Sequence, residues 1–281
     1  MVRAPLSIPP GPPVRYLPLL LAVWVTLHSP AVRAAADSVF LEELTSSEVS
    51  DALSAGRTTI IIPVGGTEQN GPHMALGKHN VRAKALAGKI AVELGNALVA
   101  PVVAYVPEGR ISPPTEHMRY AGTISIPEET FKSVLDAAAR SFKQHGFLDV
   151  VLIGDSGNYQ TQLKAVADRL NRDWATTRVR AHFVADYYRA AQIPFTKALR
   201  AKGLSDAQIG THAGAADTAL SMAIDAALVR PDRMPRDARD AAPAGVAGEP
   251  RAATAELGQL GVDLIVTQSV AAIRTATAAR R

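Results

Sequence analysis

The run TTIIIPV (Thr58–Val64) constrains the fold more than any other stretch. Its residues are β-branched or apolar with no polar alternation, so the strand they form must be covered on both faces. LDVVLIG (Leu148–Gly154) repeats the pattern, and Ala97–Val106 and Val179–Val184 read as further strands. Helical stretches separate them. Ala85, Leu86, Ile90 and Leu94 recur at helical spacing within Val81–Leu94. Pro127, Glu128 and Glu129 open a helix to about His145, with proline in the first turn and acids at the positive end of the dipole. Tyr159–Trp174, Ala215–Leu228 and a stretch within Val262–Ala279 are also expected to be helical. Upstream, LEELTSSEVSDALSAG reads as an acidic helix capped by Thr45 or Ser46 and ended by Gly56. Pro231–Ala253, rich in Ala, Pro, Asp and Arg, reads as a surface loop or mobile excursion. Alternating strands and helices imply one α/β domain with a mostly parallel sheet covered on both faces.

The first 36 residues read as a leader rather than as part of that domain. Arg3 and Arg15 flank a Pro-rich start, an apolar run spans Tyr16 to Leu27, and AVRAAADS offers cleavage after Ala34 or Ala36. The apolar run is about half the ~20 residues a spanning helix needs. The expectation is therefore export to the periplasm or medium, with residues 37–281 as the mature domain. The leader holds Arg3, Arg15 and Arg33 and no acid; removing these three from 30 basic residues leaves 27 against 26 acidic ones. That balance, without a Lys/Arg stripe, argues against nucleic acid as a partner. Cysteine is absent, so there is no disulfide framework, and any metal would take nitrogen and oxygen ligands.

Ligands in open parallel sheets bind beyond the carboxyl ends of strands. That rule selects the loop after Thr58–Val64, with Glu68, Asn70, His73 and His79, and the loop after Leu148–Ile153, with Asp155, Ser156 and Asn158. THAGAAD adds His212 and Asp217 at a helix start, and PPTEHMRYAGTIS adds Glu116 and His117 in a long loop. Each has a plainer reading: His79 as a helix cap, Asp155 as a turn acid, Asp217 as an acid suited to a helix N-terminus. Tyr187 and Tyr188 read as packing residues. Clustering at strand ends is what favours a site.

These same segments resemble a known family. PVGGTEQNGPHMALGKH, EHMRYAGTIS, HGFLDVVLIGDSGN and THAGAADTALSMAI follow, in order, blocks of the creatininase (creatinine amidohydrolase) family. The resemblance covers about Leu41 to Leu228. It implies a three-layer α/β/α sandwich, hydrolysis of a C–N bond in an amide, lactam or cyclic amide of a small molecule, a zinc or manganese centre, and homo-oligomers such as hexamers. Glu68, His73, His117, Asn158 and His212 match the family pattern. Elsewhere the chain departs from it: Asn70 replaces His, His79 replaces Asp, Asp155 replaces His, and Gly157 stands where some members carry an acid. Asp217 is one methylene shorter than the family acid. The exchange at 79 and 155 looks reciprocal. The expectation is one divalent ion per chain on Glu68, His79 and Asp155, with catalysis by Glu68 and His212; the alternative for these positions is a metal-free pocket in which Asn70, His79 and Asp155 hydrogen-bond one another. His212 would move a proton to the leaving nitrogen; Asn70, His73, His117, Ser156, Asn158 and Asp217 would hold substrate. The alternative is a catalytically inactive small-ligand-binding protein on the same fold.

Overall fold

The computed structural model describes residues 38–278, so the expected leader and its cleavage site lie outside the described residues. Four strands, β1 (Thr59–Val64), β2 (Ala97–Val99), β3 (Asp149–Gly154) and β4 (Arg180–Phe183), form one parallel sheet in the order β2-β1-β3-β4. β1 and β3 are both interior, and every residue of each is buried, as an unbroken apolar run requires.

Helices α1 (Ser46–Ser54), α2 (Lys78–Leu94), α3 (Glu128–Gln144), α4 (Gln160–Asp173), α5 (Ala185–Gln192), α6 (Pro194–Ala201), α7 (Ala215–Ile224) and α8 (Ala255–Ala278) cover the sheet. Alternate β1 side chains feed opposite cores. Ile61 packs with Leu86 and Ile90 of α2 and with Val262 and Ile265 of α8. Ile60 and Ile62 pack with Phe131 and Leu135 of α3 and Leu163 of α4. Each such isoleucine contributes roughly 1.5–3 kcal/mol on burial. This is the three-layer α/β/α sandwich. None of the helices among the described residues is long and apolar enough to cross a membrane.

β1 leads through α2 to β2 on one side, while β3 lies on β1's other side, so the strand order reverses between β1 and β3. Val64 pairs with Gly154 at the ends of these strands, and Asp155 N–H donates to the Val64 carbonyl at 3.0 Å. The two candidate loops therefore leave the sheet side by side, at the switch point where open α/β sheets bind ligands.

Several boundaries differ from expectation. Thr45 does cap α1, in a capping box with Glu48. β2 ends at Val99, after which the chain makes only an isolated bridge from Val103 to Val64. α2 begins at Lys78 rather than Val81, α8 begins at Ala255 rather than near Val262, and α5 and α6 had no counterpart in the sequence reading. Segment 231–253 is not an excursion. Met234, Ala241 and Val246 are buried against Met74 and Ala213. Its backbone pairs with the His212 strand-like turn, Ala247 accepting from Thr211 N–H at 2.8 Å and donating to the His212 carbonyl at 2.8 Å.

Candidate active site

The start of α2 organises the site. Gly77 is its N-cap, and Lys78, His79 and Arg82, all buried, follow within its first turns. Three basic side chains at the positive end of a helix run against the dipole, so each needs a carboxylate partner. Glu68 after β1, Asp155 after β3 and Asp217 in α7 supply them. His79 donates from Nδ1 to Asp155 Oδ2 at 2.6 Å and from Nε2 to Glu68 Oε1 at 2.8 Å. Arg82 reaches Asp155 Oδ2 at 3.0 Å and Asp217 Oδ1 at 2.9 Å. Lys78 Nζ lies 3.2 Å from Asp217 Oδ2. Tyr187 of α5 donates to Asp155 Oδ1 at 2.8 Å.

This network sets the protonation states. Burial and Lys78 pull the His79 pKa down, but Glu68, together with the hydrogen bonds to Asp155 and Glu68, raises it overall. Burial opposes ionisation of Asp155, and the Arg82 guanidinium and His79 outweigh it, holding its carboxyl below the usual range. Glu68 is likewise held low against burial, chiefly by His79. A second glutamate, Glu108, goes the other way. Burial and the neighbouring Glu68 charge push it up to about 9. Glu68 Oε2 and Glu108 Oε1 are both buried without a conventional partner, and the proton that Glu108 keeps bonds the two carboxyls together. Asn158 Nδ2 donates to the other Glu108 oxygen at 2.6 Å. Gly66 (φ +144°) makes room, since a Cβ there would lie 2.8 Å from Glu108 Oε1.

The expected metal set does not form around a point. Glu68 and Asp155 take different nitrogens of one imidazole, and these diverge, so no ion can bond all three residues at once. A different trio does converge. Ligand atoms of Glu68, His117 and His212 lie within 4.8 Å of one another. Glu68 Oε2 is 3.4 Å from His117 Nε2, and Glu68 Oε1 is 3.9 Å from His212 Nδ1. Ligands ~2.1 Å from a tetrahedral zinc sit about 3.4 Å apart, so the spacing fits one ion. Gln69 holds the far nitrogens of both rings: its Nε2 is 3.2 Å from His117 Nδ1, and its carbonyl is 3.0 Å from His212 Nε2. Gln69 Nε2 lies 3.1 Å from the same His212 nitrogen; in the tautomer that places Nε2–H on the carbonyl instead, His212 Nδ1 carries the lone pair, the outer-sphere arrangement that suits a metal ligand. Burial and then Lys78 push His212 down to about 4, so it is neutral at pH 7. His212 thus stands as a donor in this trio rather than as a free proton shuttle.

The remaining expectations divide. Ser156 and Asn158 line a crevice of about 260 Å³ together with Glu68, His117, His212 and Asp217. Asn70 and His73 do not reach it. Asn70 is fully buried and folds back, its Nδ2 donating to the Glu68 carbonyl at 2.9 Å. His73 is fully buried against Thr218 Oγ1 at 3.2 Å. Asp217 faces the crevice, but its oxygens are committed to Lys78, Arg82 and the Ala213 N–H. Glu116 is exposed and outside the cluster. Tyr188 is not mere packing: it lines the crevice, and a Cβ on Gly157 would lie 2.7 Å from its hydroxyl. The tyrosine fills the space that an acid at position 157 would need. The sequence reading missed Lys78, Arg82, Gln69, Glu108 and Tyr187. Basic residues at 78, 79 and 82, at the wrong end of a helix, were the available signal.

The profile of the creatininase family, described as creatinine amidohydrolase, matches residues 42–273. The chain belongs to the creatininase family. Among relatives of this creatininase-family chain, the mycofactocin precursor peptide peptidase of Mycolicibacterium smegmatis is 34% identical over 113 residues, 38% of this chain and 43% of the relative. The creatinine amidohydrolase of Pseudomonas putida is 30% identical over 127 residues, 45% of this chain and 47% of the relative. The chain thus spans about half the length of the curated relatives it matches. A solved creatininase variant of the Zn-Zn type superposes with a TM-score of 0.69 at 25% identity, covering 85% of this chain and 98% of that one. Creatininase relatives are hydrolases, and zinc occurs in at least that structural neighbour.

Proposed function

We propose that this creatininase-family chain is an exported hydrolase of a C–N bond in a small amide, lactam or cyclic amide, with one divalent ion, zinc or manganese, held by Glu68, His117 and His212. The convergence of these three donors at the switch-point crevice carries the reading. A bound ion would supply Lewis-acid polarisation of the scissile carbonyl. The chain's own residues do the rest. Glu68 stays ionised at neutral pH because His79 donates to its Oε1. Gln69 fixes the orientation of both imidazoles. His79 holds a proton on Nε2 beside Glu68, with Asp155, Arg82 and Tyr187 fixing its ring from behind. Ser156, Asn158 and Tyr188 line the crevice wall and can hydrogen-bond a polar substrate.

The test combines elemental analysis with a turnover screen of lactams, formamides and cyclic amides. About one ion per chain is expected, with turnover lost on chelation and both ion and turnover lost in His117→Ala and His212→Ala. Retention of the ion in both variants would remove the assigned ligand set. The saturation of Asp155 by His79, Arg82 and Tyr187 favours a second reading, a small-ligand binder without catalysis. Thermal stabilisation by an amide that is never turned over would select it.

A further inference from the structure

Lys78 is the residue of the α2 triad whose charged nitrogen has an ion pair but no hydrogen bond. Its side chain is 1% exposed, and its ammonium, with three donors, makes no hydrogen bond of ordinary geometry. The single carboxylate within 4 Å among the described residues, Asp217 Oδ2 at 3.2 Å, also accepts the Ala213 N–H at 2.9 Å, while Oδ1 of that group is taken by Arg82 at 2.9 Å. A buried ammonium left this way carries a desolvation cost that an additional anion would offset. Lys78 also lines the crevice, beside Glu68, Ser156 and Thr211. Its charge acts on Glu68, His73, His79, Glu108, His212 and Asp217, which places it at the electrostatic centre of the site.

The charge inventory points the same way. Lys78 and Arg82 share Asp217, and Arg82 also reaches Asp155, so the carboxylate nearest Lys78 is divided between two cations. The N-terminus of α2, where Lys78 is the first residue, adds further positive potential. A neutral amide would leave the Lys78 donors empty.

We propose that Lys78 Nζ receives a carboxylate of the substrate, so that the chain selects amides bearing a carboxylate close to the scissile bond, such as N-acyl amino acids. This deepens the hydrolase reading and names its substrate class. Charge-assisted bonds from an ammonium to a carboxylate are roughly twice as strong as neutral ones, so an uncharged isostere should bind distinctly less well.

The experiment measures binding rather than turnover, so it fails separately from the hydrolase reading. Full-length protein, treated with chelator so that no ion captures the carboxylate, is titrated by calorimetry with N-acetylglycine and with its neutral isostere N-acetylglycinamide. The expected preference for the acid is at least roughly ten-fold, about 1.4 kcal/mol. Lys78→Met should abolish the preference, and Lys78→Arg should retain part of it. Equal affinities in the unmodified protein, or no saturable binding of either compound, would overturn the proposal without reference to any variant. So would a preference that survives in Lys78→Met. Titration with inorganic phosphate separates the two sources of an anion: phosphate that displaces N-acetylglycine and binds more tightly would reassign Lys78 to an inorganic-anion site.

Discussion

Replacing Glu108 by glutamine should stabilise the folded chain at neutral pH and flatten the dependence of its stability on pH. Folded Glu108 holds its proton up to about 9, against an ordinary value of 4.5. A raised acid of this kind contributes stability that is complete below the unfolded value and is lost as pH rises through the folded one. Between pH 7 and 9 the folded chain binds a proton that the unfolded chain does not. The slope is up to about 1.4 kcal/mol per pH unit, which integrates to about 2 kcal/mol over that window. For a domain of this size, that is a fall of roughly 4–8 °C in Tm. Glutamine is neutral throughout. Its Oε1 can accept from Asn158, which donates to Glu108 at 2.6 Å, and its amide can donate to the Glu68 carboxylate in place of the Glu108 proton. Glu108→Gln should therefore match the parent near pH 4, exceed it by about 3 kcal/mol at pH 7, and lose less Tm between pH 7 and 9. The raised His79 acts in the same direction in both proteins, so a shallower fall, not a flat line, is expected. Scanning fluorimetry of chelator-treated protein across pH 6–9.5 makes the measurement. Parallel curves for parent and variant would show that Glu108 is not the group holding the proton.

Two further outcomes follow from the site and from the leader. His79→Leu leaves buried Glu68 and Asp155 without the imidazole between them, and breaking a buried pair from one side costs about 3–5 kcal/mol; a urea titration showing a loss under about 1 kcal/mol would remove His79 from its bridging role. N-terminal sequencing of exported protein should begin at Ala35 or Asp37; a mature form that keeps the Tyr16–Leu27 run would refute cleavage.

The sheet was legible because its central strands carry a simple constraint. Residues 59–64 and 149–154 are buried on both faces, and an uninterrupted apolar run records that directly. The loops bearing Glu68 and Asp155 could then be placed at carboxyl ends of strands by rule, and the pairing of β1 with β3 brings them together. The start of α2 was not legible, because helix-start preferences disfavour Lys78, His79 and Arg82 at a positive end, and only Glu68, Asp155 and Asp217, remote in sequence, reverse that preference. Glu108 sits in a Pro- and Gly-rich loop with no local pattern to mark it. Its partners Asn158 and Glu68 arrive from β3 and β1. α5 and α6 are short and separated by little more than Pro194, too brief for periodicity to emerge. Segment 231–253 looks unstructured by composition because backbone bonds to the His212 turn, and a few small apolar contacts, hold it in place.

The direct bond between His79 and Asp155 bears on how such a site can arise by substitution. The family pattern has aspartate at the first position and histidine at the second, so this chain carries the reverse arrangement of one touching pair. Single substitutions must pass through an intermediate. Two aspartates there would set like charges together, costing roughly 4 kcal/mol at 4 Å separation in a medium of effective dielectric 20, unless one kept a proton. Two histidines can both be neutral and can share a hydrogen bond. The gentler route changes position 79 first, and Asp155, once present, is held by Arg82 and Tyr187, which converge on it from α2 and α5. Along that route, aspartate at 155 should occur only where residue 79 is already histidine.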